Sequence, residues 1–255
     1  MRAYSSVVQF TCIHHDVVDS TSERAFAALA LGSARHGDVH LANGQTAGRG
    51  RLGRRWSSTH GEGLYLSVIL LPPPPPWPAP ALTIAAGLAV LDAAHALGAR
   101  EATLDWPNDV VVCGAKLAGI LVETRGLDAT RPHYVVGIGV NVLQRTFDAE
   151  LERERAVTSL ALQGCAATVA DTTSALLAAL ARRLDEVPAR PLELAREYVR
   201  AAGWLERVVR VRTSGGTDEG RLLGISLERG FELMCGGATR HFALEFVHDI
   251  ALATH

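Results

Sequence analysis

Lysine is almost absent from this chain, and the one that remains sits among groups able to do chemistry. Of 25 basic residues, 24 are arginine and one is lysine, Lys116. It lies in Cys113-Gly114-Ala115-Lys116-Leu117-Ala118-Gly119, just beyond Trp106-Pro107-Asn108-Asp109. Arginine and lysine keep a surface charged equally well, so a lysine retained in such a background is either a chance survivor or a group that a guanidinium fork cannot replace. A compact ammonium on a slim stem reaches into a pocket and touches a single carboxylate or phosphate oxygen.

A second concentration of charge lies upstream. Gly44-Gln45-Thr46-Ala47-Gly48-Arg49-Gly50-Arg51-Leu52-Gly53-Arg54-Arg55-Trp56 packs four arginines and four glycines into thirteen residues. Glycines let backbone N–H groups close on an anion, and guanidinium groups add forked, charge-assisted bonds. The run lacks the GK[ST] ending of a P-loop and does not open directly into a helix, so neither the Walker nor the Rossmann reading holds. Anion binding, a solvated basic loop and nucleic-acid contact all remain readings of these residues. Trp56 is either a lid aromatic or a core anchor.

Asn108 and Asp109 read two ways. They are turn formers bonding their own backbone, or an amide that holds a phosphate or metal-bound water beside a carboxylate that orients an incoming amine. Gly137-Ile138-Gly139-Val140-Asn141 has the form of a strand whose glycines allow close backbone approach, ending in an amide.

The elements that must position these groups follow from periodicity and punctuation. A strand is expected over Cys12–Val18, then a helix over Glu23–Leu31 with N-cap chemistry from Asp19-Ser20-Thr21-Ser22. A strand at Asp38–Asn43 and a long Gly/Arg-rich connection, 44–63, lead into the alternating strand Leu64–Leu70. Seven prolines between Pro72 and Pro80 predict an extended surface spacer or a polyproline partner motif. A helix is expected over Leu82–Leu97. Strands follow near Ala102–Trp106, Val110–Val112, Leu117–Thr124 and His133–Val140, with Cys113-Gly114 as a hairpin turn. Helices follow at Ala156–Leu162, Asp171–Glu186 and Leu192–Ala202. From Leu205 short strands (Arg207–Arg212, Gly220–Ile225, Phe231–Cys235, Thr239–Phe242) predict a small all-β unit. The expected division is residues 1–204 and 205–255, with the boundary near Gly203–Leu205.

Composition excludes some classes. A net charge of −2 gives no general basis for binding nucleic acid or an anionic membrane, so any anion site is local. The four cysteines, Cys12, Cys113, Cys165 and Cys235, have no CxxC or Cys/His spacing, which predicts free thiols in a reducing cytosol and no resident metal. No apolar run of about eighteen residues is apparent, so neither a membrane span nor a signal peptide is expected.

The order of the motifs is more specific than any one of them. Asp19-Ser20-Thr21-Ser22, GQTAGRGRLGRRW, WPND, KLAGILVE at Lys116–Glu123 and GIGVN, in that order, resemble the biotin protein ligases, over nearly the whole chain from about Val17. The resemblance implies an α+β fold: a mixed, mainly antiparallel sheet with helices, like a class II synthetase, plus a small C-terminal SH3-like β-barrel. It implies that the biotin carboxylate attacks the α-phosphate of ATP, with Mg²⁺, and that a lysine of a biotin carboxyl-carrier protein then takes the biotinyl group from the adenylate.

By position, it places Ser20, Thr21, Ser22 and Gln45 against the biotin head group, and Arg49, Gly50 and Arg51 over biotin and the phosphates. Arg51, Arg54, Trp56, Asn108 and Asn141 fall on the nucleotide side, and Lys116 bridges the biotin carboxylate and α-phosphate. Lys116, Arg51, Arg49 and Asp109 are the expected catalytic set. The family's lysine before Trp-Pro-Asn-Asp is replaced here by Asp105, which weakens anion binding unless that carboxylate points away or pairs with an arginine.

The nearest alternative is a lipoate or octanoate ligase or transferase of the same fold. Some biotin ligases also repress genes through an added helix-turn-helix. About 18 residues precede Asp19, and they are not basic, so no sequence-specific DNA binding is expected. The resemblance leaves monomer and homodimer open and implies a cytoplasmic enzyme.

Overall fold

The computed structural model describes residues 8–73, 76–126, 128 and 130–253. Its first sheet is built from β1 (Thr11–Val18), β2 (Asp38–Gln45), β3 (Gly63–Leu70), β4 (Ala102–Asp105), β5 (Asp109–Val112), β6 (Ala115–Glu123) and β7 (Tyr134–Asn141). The strands run in the order β1-β2-β3-β7-β6-β5-β4. Only β1 and β2 pair in parallel; every other pair is antiparallel. Cys113 and Gly114, with φ of 49° and 80°, make the tight β5–β6 turn, since two successive positive φ values match the right-handed twist of the strands they join.

Side-chain parity assigns the two faces of this sheet. Successive strand residues point to opposite sides. In β7 the even positions Tyr134, Val136, Ile138 and Val140 enter the main core, as do Leu64, Leu66, Val68 and Leu70 of β3. That face is covered by α2 (Ala79–Ala96) and α4 (Val169–Ala189), which pack on each other. The odd positions Ser67, Tyr65 and Gly63 of β3 and Gly137, Gly139 and Asn141 of β7 form the opposite face, where the register sets each beside its partner. Part of it is roofed by α1 (Thr21–Ala30), whose Ala25 and Phe26 pack on Ile69 and Val135. The remainder of this small-residue strip is the floor of a site.

Several expectations shift. The first helix begins at Thr21, with Ser20 as an N-cap whose side chain makes no cap bond, so the hydroxyls there are free for other partners. The segment expected as helix at Ala156–Leu162 is instead extended at Val157, which bridges Lys116. Its neighbours are α3 (Ala149–Glu154), N-capped by Asp148, and a turn. Helix α4 starts at Val169 because Thr168 and Asp171 form a reciprocal capping box; Asp171 is the third residue in, not the first. Helix α2 starts three residues before Leu82, so the proline-rich run is shorter than its sequence suggests; Pro74 and Pro75 lie outside the described residues.

The expectation of no long apolar segment fails at α2. That helix is long and apolar enough to cross a membrane, but twelve of its residues are buried and it is the central core helix.

After α5 (Pro191–Ala201), a second sheet comprises β8 (Val208–Thr213), β9 (Gly216–Ser226), β10 (Gly230–Cys235), β11 (Ala238–Phe242) and β12 (Val247–Leu252), the last not foreseen. Its order is β11-β10-β9-β8-β12. Among the described residues β11 and β12 remain edges, so the sheet does not close into the expected barrel. The two sheets share one buried cluster. At its centre Trp106 meets Phe231 edge to face, with ring centroids 4.9 Å apart, and its indole N–H donates to the Val247 carbonyl at 2.9 Å.

Candidate functional site

The site lies along the small-residue strip, whose two ends differ chemically. Gly137 to Asn141 spans roughly 13 Å at strand rise. Near Gly137, the end under α1 is neutral and rich in hydroxyls. Thr21 Oγ1 and Ser22 Oγ lie 2.8 and 3.0 Å from Ser67 Oγ. Gln45 Oε1 accepts from the Thr21 backbone N–H at 2.9 Å, and Gln45 Nε2 donates to Ser58 Oγ at 2.9 Å. Ser20, Thr21, Ser22 and Ser67 are all buried. Hydroxyls held in place this way present both donors and acceptors to an uncharged polar group.

The opposite end is ionic. Lys116 Nζ lies 2.7 Å from Asp109 Oδ1. Arg155 Nη1 donates to Asp109 Oδ2, and Arg155 Nη2 donates to Asp105 Oδ2 at 2.9 Å. Burial pushes the Lys116 ammonium below the usual lysine range, and Asp109 opposes that shift. Burial likewise raises Asp105, with Arg155 pulling it down. Arg54 is close enough to lower Lys116 further, and Arg51 Nη1 donates to Asn108 Oδ1 at 3.4 Å. Three guanidinium groups and one ammonium thus surround two carboxylates.

Lys116 is fixed through its backbone as well. Its N–H donates to Ala156 O at 2.8 Å and its carbonyl accepts from Thr158 N–H at 2.9 Å. Asn141 Nδ2 donates to Thr158 O and to Lys116 O. Asn108 Nδ2 donates to Ile120 O at 2.7 Å, tying the turn before β5 to β6. Asn141 thus spends both N–H donors on the backbone and keeps its oxygen for a ligand, whereas Asn108 keeps one N–H, its oxygen accepting from Arg51.

The loop between β2 and β3 crosses the strip. Its Trp56 indole lies flat on the two glycines: a β-carbon built on Gly139 would come within 2.4 Å of the ring, and one on Gly119 within 2.9 Å. Lys116 Nζ stands 5.3 Å from the same ring's centroid, within cation–π range. Trp56 is thus over the floor of the site, not in the core.

Arg49 is separated from the rest of the expected catalytic set. Its guanidinium donates to Glu23 and to Glu123, beside Arg125. Glu123 and Lys116 are at opposite ends of β6, so the structure brings Lys116, Asp109, Arg51, Arg54 and Trp56 together and leaves Arg49 at the other end. Gly50 donates its N–H to Arg54 O at 2.8 Å, closing the turn that carries Arg51.

Three participants were not foreseen. Ser67 had a legible signal, as a lone hydroxyl in the otherwise apolar Leu64-Tyr65-Leu66-Ser67-Val68-Ile69-Leu70. Glu123 was in plain view within KLAGILVE but without a role. Arg155 had none, because Glu150-Leu151-Glu152-Arg153-Glu154-Arg155 reads as a solvated charged helix face.

Comparison with known proteins identifies the family. A model of the Biotin/lipoate A/B protein ligase family matches residues 15–141. The biotin–[acetyl-CoA-carboxylase] ligase of Mycobacterium tuberculosis is 38% identical over 206 residues, covering 78% of this chain and 73% of that protein. The bifunctional ligase/repressor BirA of Bacillus subtilis is 34% identical over 221 residues, covering 85% and 67%. Among solved structures, the Aquifex aeolicus biotin protein ligase in complex with biotin and ATP superposes with a TM-score of 0.76 at 26% identity, covering 95% of this chain and 99% of that one. Identity of this extent, over most of both sequences, places the chain among the biotin protein ligases of the biotin/lipoate A/B protein ligase family.

Proposed function

We propose that the enzyme joins biotin to ATP as biotinyl-adenylate and passes the biotinyl group to a lysine of a biotin carboxyl-carrier protein. The observation that carries this reading is the polarity of the strip. Neutral hydroxyls and an amide at one end suit a ureido ring, the glycine floor suits an apolar chain once the Trp56 ring lifts off it, and a cation cluster at the other end suits a carboxylate meeting a triphosphate.

In the first step a biotin carboxylate oxygen bonds to the α-phosphorus and pyrophosphate leaves. Two anions must approach, so preorganised cations supply the main stabilisation. Lys116 has three N–H donors. One faces Asp109, and two remain for the biotin carboxylate and the α-phosphate. Arg51 and Arg54 serve the phosphates. In the second step the carrier amine attacks the acyl carbon and AMP leaves. Asp109, buried and paired on both oxygens, holds Lys116; for it to orient the incoming amine, one of those pairs must open. Ser20, Thr21, Ser22 and Gln45 bind the head group, Trp56 and Arg51 cover the adenylate, and Asn108 offers an N–H and Asn141 its oxygen to the nucleotide. A closed loop keeps water from the anhydride.

Mg²⁺ enters with the nucleotide. No group of three His, Cys, Asp or Glu side chains suited to a metal occurs among the described residues, so no protein ligand is assigned to it. Four free cysteines and the need for ATP suit a cytoplasmic enzyme. Pyrophosphate release that requires both biotin and ATP, followed by label transfer to a carrier domain, tests the reading; no release with biotin refutes it. Heat stabilisation by lipoate or octanoate but not biotin would favour the lipoate branch instead.

A further inference from the structure

Arg155 occupies a position that the reaction as derived does not use. It follows α3, at the C-terminal end of that short helix. From there it forks onto two carboxylates, Asp105 and Asp109. These two face each other directly in the β4–β5 register, an arrangement in which like charges destabilise the pair. The three residues after Arg155 are zipped to Lys116 by the backbone bonds from Ala156 and Thr158. The same short segment therefore fixes the lysine's main chain and, through Asp109, its ammonium.

We propose that Arg155 is a positioning residue for adenylate formation: by holding one oxygen of Asp109 and one of Asp105, it leaves Lys116 paired to a single oxygen and free to meet two anions. This rests on the reaction proposed above. The physical argument is a charge count along the chain Lys116, Asp109, Arg155, Asp105, which alternates in sign and sums to zero. Removing Arg155 leaves a net negative charge beside the incoming triphosphate. It also frees Asp109 Oδ2 to turn on Lys116, drawing the ammonium away from the ligands. Asp105, standing where the family resemblance expects lysine, is thereby accommodated, because a guanidinium cancels its charge.

The two effects separate kinetically. Apparent affinity for ATP follows the net charge, whereas turnover follows the fork that orients Asp109. Steady-state pyrophosphate release is measured for the unmodified enzyme, Arg155→Met, Arg155→Lys, Asp105→Asn and the Arg155→Met/Asp105→Asn double variant, each with a melting curve. Arg155→Met raises KM for ATP and lowers kcat, each by about tenfold, the scale of a lost charged hydrogen bond. The double variant returns KM toward the unmodified value, since its net charge is zero again, but leaves kcat low. Arg155→Lys keeps KM and lowers kcat, because one ammonium does not fork onto both carboxylates; it also serves if Arg155→Met does not fold.

Unchanged kinetics in Arg155→Met overturn the proposal. So does an equal loss in single and double variants that merely tracks melting temperature, which is what a purely structural role gives. If the unmodified enzyme releases no pyrophosphate with biotin, the reaction itself is refuted, and this inference with it.

Discussion

Replacing Gly139 by alanine tests whether Trp56 holds the loop closed. The added methyl carbon would stand 2.4 Å from Trp56 Cε2, 2.6 Å from Nε1 and 2.7 Å from Cζ2. Ordinary van der Waals contact starts near 3.4 Å, so the indole must rise by about 1 Å, enough to forfeit up to half of its dispersion contact with the floor. A tryptophan buries about 150–250 Å², and half of that at about 25 cal/mol/Å² is roughly 2 kcal/mol. This is lost from docking of the loop, not from the core, because Gly139 faces away from α2 and α4. The loop's open population should rise about thirtyfold. Hydrogen exchange read by mass spectrometry should show that loss of protection in peptides covering residues 46–58, including the Trp56 N–H bonded to Gly48 O. Peptides from β7 and α2 should be unchanged. Gly119→Ala, with its nearest ring atom at 2.9 Å, should give a smaller loop effect. Unaltered loop protection in a folded Gly139→Ala protein would refute the reasoning.

Other expectations follow from the same geometry. Lys116→Arg should lower pyrophosphate release by about a hundredfold or more, since the wider fork does not fit between Asp109 and Trp56; near-normal release would remove Lys116 from the site. Because burial lowers the Lys116 pKa in the free enzyme and its ammonium is the active form, kcat/KM should fall on the alkaline side below the ordinary lysine value of about 10.4. Asp109→Asn should move that limb to still lower pH, and a limb that does not move counts against their pairing. Ser67→Ala removes the common partner of Thr21 and Ser22, and should weaken biotin binding by about 1–2 kcal/mol in calorimetry. Trp106→Phe leaves the Val247 carbonyl without its donor and should cost about 1–3 kcal/mol of stability in denaturant melts.

Motif order made the site's main cations legible, and periodicity gave both sheets apart from β12. Strand parity was legible too: alternating Gly137, Gly139 and Asn141 stand opposite Val136, Ile138 and Val140, as period-two reading requires. What escaped was whatever depends on long-range pairing. Nothing local distinguishes Arg155 from the other charges of Glu150–Arg155, and its role exists only because β4 and β5 bring Asp105 and Asp109 together. The partners of Arg49 escaped for a similar reason. A glycine-rich run announces cations, but which carboxylate each one meets is set by Glu23 on α1 and Glu123 at the far end of β6. The stretch after α3 read as helix because its propensities favoured one, and the bridge to Lys116 outweighed them.

The ion pair between Lys116 and Asp109 bears on chemoselectivity. An acyl-adenylate acylates amines, and only a neutral amine is nucleophilic. The sole lysine in the sequence lies next to the place where the anhydride would form, paired with a carboxylate 2.7 Å away although burial works against its charge. The amine nearest the product can attack it only by leaving that pair and losing a proton. With every other strongly basic side chain an arginine, the enzyme offers an acyl-adenylate almost nothing of its own to modify, and under the proposed reaction biotin leaves on the carrier's lysine. An intact mass showing several biotins per chain would contradict this.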